Sequence, residues 1–155
     1  MPKMIITDFD GTLLGPEQKV SQIDYDTLLT LGQKGIVRVV ATGRSPHSFS
    51  KVVKSDFPID YLVFSSGSGI MNWNTGEILQ SFSISIEKVH ELVGVFRNEN
   101  ISFKVLAPAP NNHKYLYYSN GNPHPDFDKR MMFYLGHETK IEFDPPNYAE
   151  ASQIL

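Results

Sequence analysis

Ile5-Ile6-Thr7-Asp8-Phe9-Asp10-Gly11-Thr12-Leu13-Leu14 begins as a short apolar run and ends in two aspartates and a glycine. The run predicts a buried strand, and Gly11 predicts its break. Two carboxylates one residue apart at the exit of a buried strand repel each other. A divalent cation relieves that repulsion, and hard oxygen donors suit Mg²⁺. Asp10-Gly11 alone is an ordinary turn, so the weight rests on the full string.

Moving outward, Gly15-Pro16-Glu17-Gln18-Lys19 is a polar loop. Ser21 predicts a helix N-cap with Asp24 as its capping-box partner, Ile23, Leu28 and Leu31 as the inner stripe, and Gly35 as the stop. Ile36 to Ala41 predicts a second strand, followed by Thr42-Gly43-Arg44. Ser45-Pro46 opens a second predicted helix with Phe49, Val52 and Val53 on its buried face and Phe57-Pro58 as its close. Tyr61 to Phe64 predicts a third strand, ending in Ser65-Ser66-Gly67-Ser68-Gly69. Alternating strands and helices imply parallel strands with right-handed crossovers, an α/β fold. Ligands in such sheets bind beyond the carboxyl ends of the strands, where Asp8, Thr42 and Ser66 fall.

From Ile70 the pattern changes. Ile70 to Trp73 and Glu77 to Gln80 predict a hairpin around Asn74-Thr75-Gly76. Ser85 caps a predicted helix with Ile86, Val89, Leu92, Val93 and Phe96 as its stripe. Two strand-like segments follow, around Ile101 to Leu106 and Tyr115 to Tyr118. A helix is expected from about Asp126 to Leu135 with Gly136 as stop, then a short strand Ile141-Glu142-Phe143 before Asp144-Pro145-Pro146. This half reads as α+β, which places residues 1–80 in one domain and 81–155 in another.

The chain has 155 residues, 41% hydrophobic and 20% charged, which suits a globular protein. A net charge of −3 argues against long-range attraction to nucleic acid or anionic membrane. With no cysteine there is no disulfide or thiolate zinc site, and a reducing, cytoplasmic setting is expected. With the first strand predicted so near Met1 no signal peptide is expected, and no apolar run reaches the length of a membrane span. The scattered lysines and arginines read as solvated faces, His113, His124 and His137 as surface or cleft residues, and the tyrosines near Tyr115 as packing.

Asp8-Phe9-Asp10-Gly11-Thr12-Leu13 closely resembles the first motif of the haloacid dehalogenase (HAD) superfamily. Ala41-Thr42-Gly43-Arg44 resembles its second motif. Ser66-Gly67-Ser68-Gly69-Ile70 stands where the Cof-like, type IIB cap branch has Asn-Gly-Ala-x-Ile, with Gly67 and Ile70 matching and Ser66 in place of asparagine. The resemblance implies a Rossmann-like core with a parallel sheet, here incomplete, and an α+β type IIB cap in residues 81–155. It implies a Mg²⁺-dependent phosphatase acting on a small phosphorylated metabolite such as a sugar phosphate. Asp8 is then the nucleophile that becomes an aspartyl phosphate. Asp10 is the general acid and base, and both contribute to the metal site. Thr42, Gly43, Arg44, Ser66 and Gly67 become phosphate- or substrate-binding positions. The family's later lysine and its later acidic metal-binding segment are missing from this chain. The alternatives are therefore a non-catalytic relative that binds a phosphorylated ligand or a protein, and a sugar phosphomutase. A strand at Met4 to Thr7 would lie at a sheet edge, so self-association or completion by another chain is expected.

Overall fold

Strand β1 (Met4–Asp8) pairs in parallel with β2 (Val37–Ala41), and the register sets Asp8 opposite Ala41. The structure, a computed structural model, describes residues 2–122, 124–141 and 148–155, with the backbone alone for Arg130 and Phe133. β2 pairs in parallel with β3 (Tyr61–Phe64), and helices α1 (Gln22–Gln33) and α2 (Pro46–Phe49) lie on the two crossovers. β4 (Gly69–Asn72) and β5 (Ile78–Ser81) then return antiparallel. The sheet order is β1-β2-β3-β4-β5, which leaves β1 at an edge. The chain separates into two compact units, Met1–Ser81 and Phe82–Leu155.

Local chemistry explains most of the first unit. The Ser21 hydroxyl accepts from the Asp24 amide at 3.1 Å and donates to the Asp24 carboxylate at 2.6 Å, closing the start of α1. Gly35 takes the left-handed φ of +70° that ends the helix. Leu28 is buried, but Ile23 is exposed, contrary to the expected stripe. The two are five positions apart, and that spacing puts them on different faces of a helix. Tyr25, three residues before Leu28, turns inward instead, its ring 6.2 Å from that of Phe57.

The second helix is far shorter than expected. α2 stops at Phe49, and turns follow. Ser50 donates its hydroxyl to the Pro46 carbonyl at 2.6 Å, and both Val52 and Val53 bond back to the Phe49 carbonyl. Side-chain competition for the backbone followed by two β-branched residues ends the regular ladder. Phe49 and Val53 are buried all the same.

In the second unit, Ser85 caps α3 (Ile86–Asn98) through the Lys88 amide. Val89 and Val93 pack with Phe103, Val105, Ile141, Tyr148 and Ala151, while Ile86 at the helix start stays exposed. The sheet order is β8-β7-β6-β9, from β6 (Phe103–Leu106), β7 (Tyr115–Tyr118), β8 (Glu138–Lys140) and β9 (Gln153–Ile154). β6 pairs antiparallel with β7 and β9, and β7 pairs in parallel with β8. α4 (Pro125–Phe133) ends two residues before the expected Leu135, which is exposed. The expected strand from Ile141 is not formed at Ile141, which follows β8 as a buried core residue; Glu142 and Phe143 lie outside the described residues.

Lys104 departs furthest from the sequence reading. It is 2% exposed rather than solvated, with its ammonium 5.0 Å from the Tyr115 ring centroid and 5.1 Å from that of Phe127. The alternation of β6 dictates this. Phe103 and Val105 face the α3 core, so Lys104 must point to the opposite face, where aromatic rings cover its stem and charge. Burial also pushes the Tyr115 hydroxyl up to about 12. No helix among the described residues is long and apolar enough to cross a membrane.

Candidate active site

Phe9 sets the site. Its side chain is completely buried, ring centroid 4.6 Å from that of Phe49. The exposed–buried alternation of β1 carries on past its end at Asp8, so Phe9 is anchored in the core while Asp8 and Asp10 are exposed on either side of it. Gly11 follows with φ of +79°, a conformation that favours glycine. The chain then folds back, with the Thr12 and Leu14 amides both donating to the Phe9 carbonyl. This turn brings the Thr12 hydroxyl to 3.3 Å from Asp8 Oδ2, to which it donates.

The second expected segment meets the first because β1 and β2 run in parallel register. Thr42 follows Ala41, which lies opposite Asp8. Its hydroxyl is buried, donates to Asp10 Oδ2 at 3.3 Å and accepts from the Arg44 amide at 3.1 Å. Arg44 reaches back to the same carboxylate. Its Nε lies 2.9 and 3.0 Å from the two Asp10 oxygens, and its Nη2 lies 2.7 Å from Oδ1. The guanidinium carbon stands 5.7 Å from the Phe9 ring centroid.

The third segment is tied to the second. The Ser65 amide donates to the Arg44 carbonyl at 2.9 Å and the Ser66 amide to the Thr42 carbonyl at 3.0 Å. Ser65 and Ser66 both hold left-handed φ values, 49° and 55°, before Gly67 at 93°. Two such residues in succession carry a conformational cost that the surrounding hydrogen bonds sustain. A Cβ on Gly43 would stand 3.5 Å from the Ser66 hydroxyl, so Gly43 and Ser66 are near neighbours. Asp8 thus ends β1, and Asp10, Thr42, Gly43, Arg44, Ser66 and Gly67 belong to the segments that follow the carboxyl ends of β1, β2 and β3.

The matching family model, that of the haloacid dehalogenase-like hydrolases, spans residues 5–155. The chain belongs to that family. A candidate phosphatase of Haemophilus influenzae is 35% identical over 91 residues, which are 58% of this chain and 33% of that protein. The chain therefore spans about a third of that relative's length. Among solved structures, a phosphatase of the HAD superfamily from Bacteroides thetaiotaomicron superposes with a TM-score of 0.71 at 22% identity, over 92% of this chain and 50% of that one. A sugar phosphatase of HAD subclass IIB superposes with a TM-score of 0.67 at 17% identity, over 90% of this chain and 52% of that one. At such identities the likeness is one of fold, a Rossmann-like HAD architecture.

The donors of this HAD chain suit Mg²⁺ in kind. Asp8 offers an exposed carboxylate, and among the described residues no hydrogen bond engages the Asp10 backbone carbonyl. Mg²⁺ is commonly held by one or two such groups with water and substrate phosphate completing its shell. Among the described residues no third acidic side chain joins them in a cluster able to hold a metal. Gln18 is a member of the site that the sequence did not mark. It sits in the polar loop with φ of 56°, its side-chain oxygen 3.4 Å from Arg44 Nη2. Nothing in Gly15-Pro16-Glu17-Gln18-Lys19 distinguishes it from an ordinary surface glutamine.

Proposed function

We propose that this protein is a Mg²⁺-dependent phosphatase acting on a small phosphorylated metabolite such as a sugar phosphate. The observation that carries the reading is the convergence of Asp8, Asp10 and Thr42 at the carboxyl ends of two adjacent parallel strands. The Asp8 carboxylate attacks phosphorus, the bond from phosphorus to the leaving oxygen breaks, and Asp8 becomes an aspartyl phosphate. Asp10 gives a proton to the leaving oxygen, then takes one from the water that opens the acyl phosphate. Thr12 orients Asp8 through Oδ2, and among the described residues no hydrogen bond engages its other oxygen. Thr42 supplies a hydroxyl beside the transferring group, and the Ser66-Gly67 loop lies next to it. The Asp8 carboxylate and the Asp10 carbonyl would hold Mg²⁺, whose positive charge would offset repulsion between carboxylate and phosphate.

Residues 81–155 form the cap of this enzyme, and it works in the cytoplasm. Support comes from the subclass IIB sugar phosphatase fold, the absence of cysteine and the moderate negative charge. The direct test is hydrolysis of p-nitrophenyl phosphate with and without Mg²⁺. Turnover should need the metal and fall by on the order of a thousandfold or more in Asp8→Asn. Asp10→Asn should be similarly damaging while still accumulating phosphoenzyme from a good leaving group. Wild-type activity in Asp8→Asn would end the assignment of the nucleophile. A protein that binds phosphate esters without hydrolysing them would instead be the non-catalytic relative.

A further inference from the structure

Arg44 is expected from sequence to touch substrate, but its guanidinium is already engaged. Nε and Nη2 both point at the Asp10 carboxylate, and Nη2 also lies 3.4 Å from the Gln18 side chain. The side chain is 13% exposed, against 47% for Asp10, so the carboxylate is the more accessible partner. The Phe9 ring lies alongside the guanidinium, and Phe9 itself cannot shift because it is locked in the core. A planar fork held this way fixes the plane of the carboxylate it grips.

The two carboxylate oxygens are not held alike. Oδ1 receives two N–H groups at 2.7 and 2.9 Å. Oδ2 receives the shared Nε at 3.0 Å and the Thr42 hydroxyl at 3.3 Å. Oδ1 is the anchored atom. Oδ2 is the more loosely held, since its Thr42 contact is the longest of the four.

Resting on the phosphatase reading, we infer that Arg44 is a positioning residue, which acts on turnover through Asp10 by anchoring Oδ1 and presenting Oδ2 for proton exchange with the leaving oxygen. It would not grip the phosphate itself. The two roles separate by leaving group. A residue acting through the proton donor matters most when the leaving oxygen is basic. A residue gripping the phosphoryl group matters equally whatever leaves.

The test is kcat/KM for phenyl phosphate and p-nitrophenyl phosphate, with Mg²⁺, in the wild type, Arg44→Ala and Arg44→Lys, each also in an Asp10→Asn background. Arg44→Ala is expected to lose roughly thirtyfold or more on phenyl phosphate but only about threefold on p-nitrophenyl phosphate. Arg44→Lys should recover little, since an ammonium cannot fork, whereas added guanidinium should partly restore Arg44→Ala. In the Asp10→Asn background the same replacement should cost almost nothing further, because both changes remove one function. Equal losses on both esters, or losses that multiply fully with Asp10→Asn, overturn the inference and make Arg44 a phosphate contact. If Arg44→Ala does not fold, the Arg44 Nε–H resonance of the wild type decides. Slow exchange that Asp10→Asn abolishes supports the fork, and a resonance indifferent to Asp10→Asn refutes it. A wild type that hydrolyses neither ester overturns the phosphatase reading and this inference with it. That result is distinct from an active wild type with equal losses, which overturns the inference alone.

Discussion

Arg38 on β2 and Asp60 just before β3 form a forked ion pair, with Nε 3.0 Å from Oδ2 and Nη2 2.8 Å from Oδ1. The Arg38 amide adds a third bond to Oδ2 at 2.7 Å. The Arg38 side-chain hydrogen bonds hold the Asp60 carboxyl below its ordinary value, against partial burial that pushes the other way. A carboxyl lowered in the folded state binds fewer protons there than in the unfolded chain. Its stabilisation is therefore complete above the unfolded value, about 4, and fades as pH falls through the folded one. Asp60→Asn should cost about 1–3 kcal/mol at neutral pH. Urea unfolding of the two proteins should converge as pH drops below about 4. A difference that is constant with pH would show that the pair contributes packing and not charge.

Gly69, at the start of β4, is tight for a steric reason. A Cβ there would meet the Phe64 ring and would stand 2.9 Å from the Gln80 carbonyl oxygen. Backbone cannot swing aside as a flexible side chain can. Gly69→Ala should lower stability by about 1–3 kcal/mol through overpacking. Chemical denaturation checks this, and an unchanged midpoint would mean that Phe64 repacks freely.

Magnesium should bind the 155-residue chain weakly in the absence of phosphate. Asp8 and the Asp10 carbonyl are two donors, Arg44 and Thr42 occupy the Asp10 carboxylate, and Mg²⁺ gives up water reluctantly. Titration calorimetry should show little heat from Mg²⁺ alone. Tight stoichiometric binding would mean that another carboxylate completes the site.

β1 is an open edge, with Met4 50% exposed and Ile6 65% exposed. An apolar edge strand without internal charge or proline is a template for pairing. The isolated chain should self-associate, and Ile6→Lys should shift it towards monomer in size-exclusion chromatography with light scattering. Hydrogen exchange at residues 4–8 should be protected in the associated form. A stable monomer with those amides fully protected would refute edge pairing.

What the sequence determined by itself was everything carried by short-range pattern. The apolar run before Asp8, the Ser21 and Ser85 caps, the Gly35 stop and the break between the α/β and α+β halves all depend on residues within a few positions of one another. The Asp8-Phe9-Asp10-Gly11-Thr12 string belongs here too, because the alternation about a buried Phe9 that leaves both carboxylates exposed is local to three successive residues. What only tertiary structure decided depends on which distant surfaces meet. The Arg44 fork on Asp10 requires β1 and β2 to pair in one parallel register, which periodicity cannot state. Burial of Lys104 requires α4 and β7 to bring Phe127 and Tyr115 over β6. Exposure of Ile6 goes with β1 having one neighbour among the described strands of its sheet. An apolar side chain records that it can be buried, and only the packing of its neighbours settles whether it is.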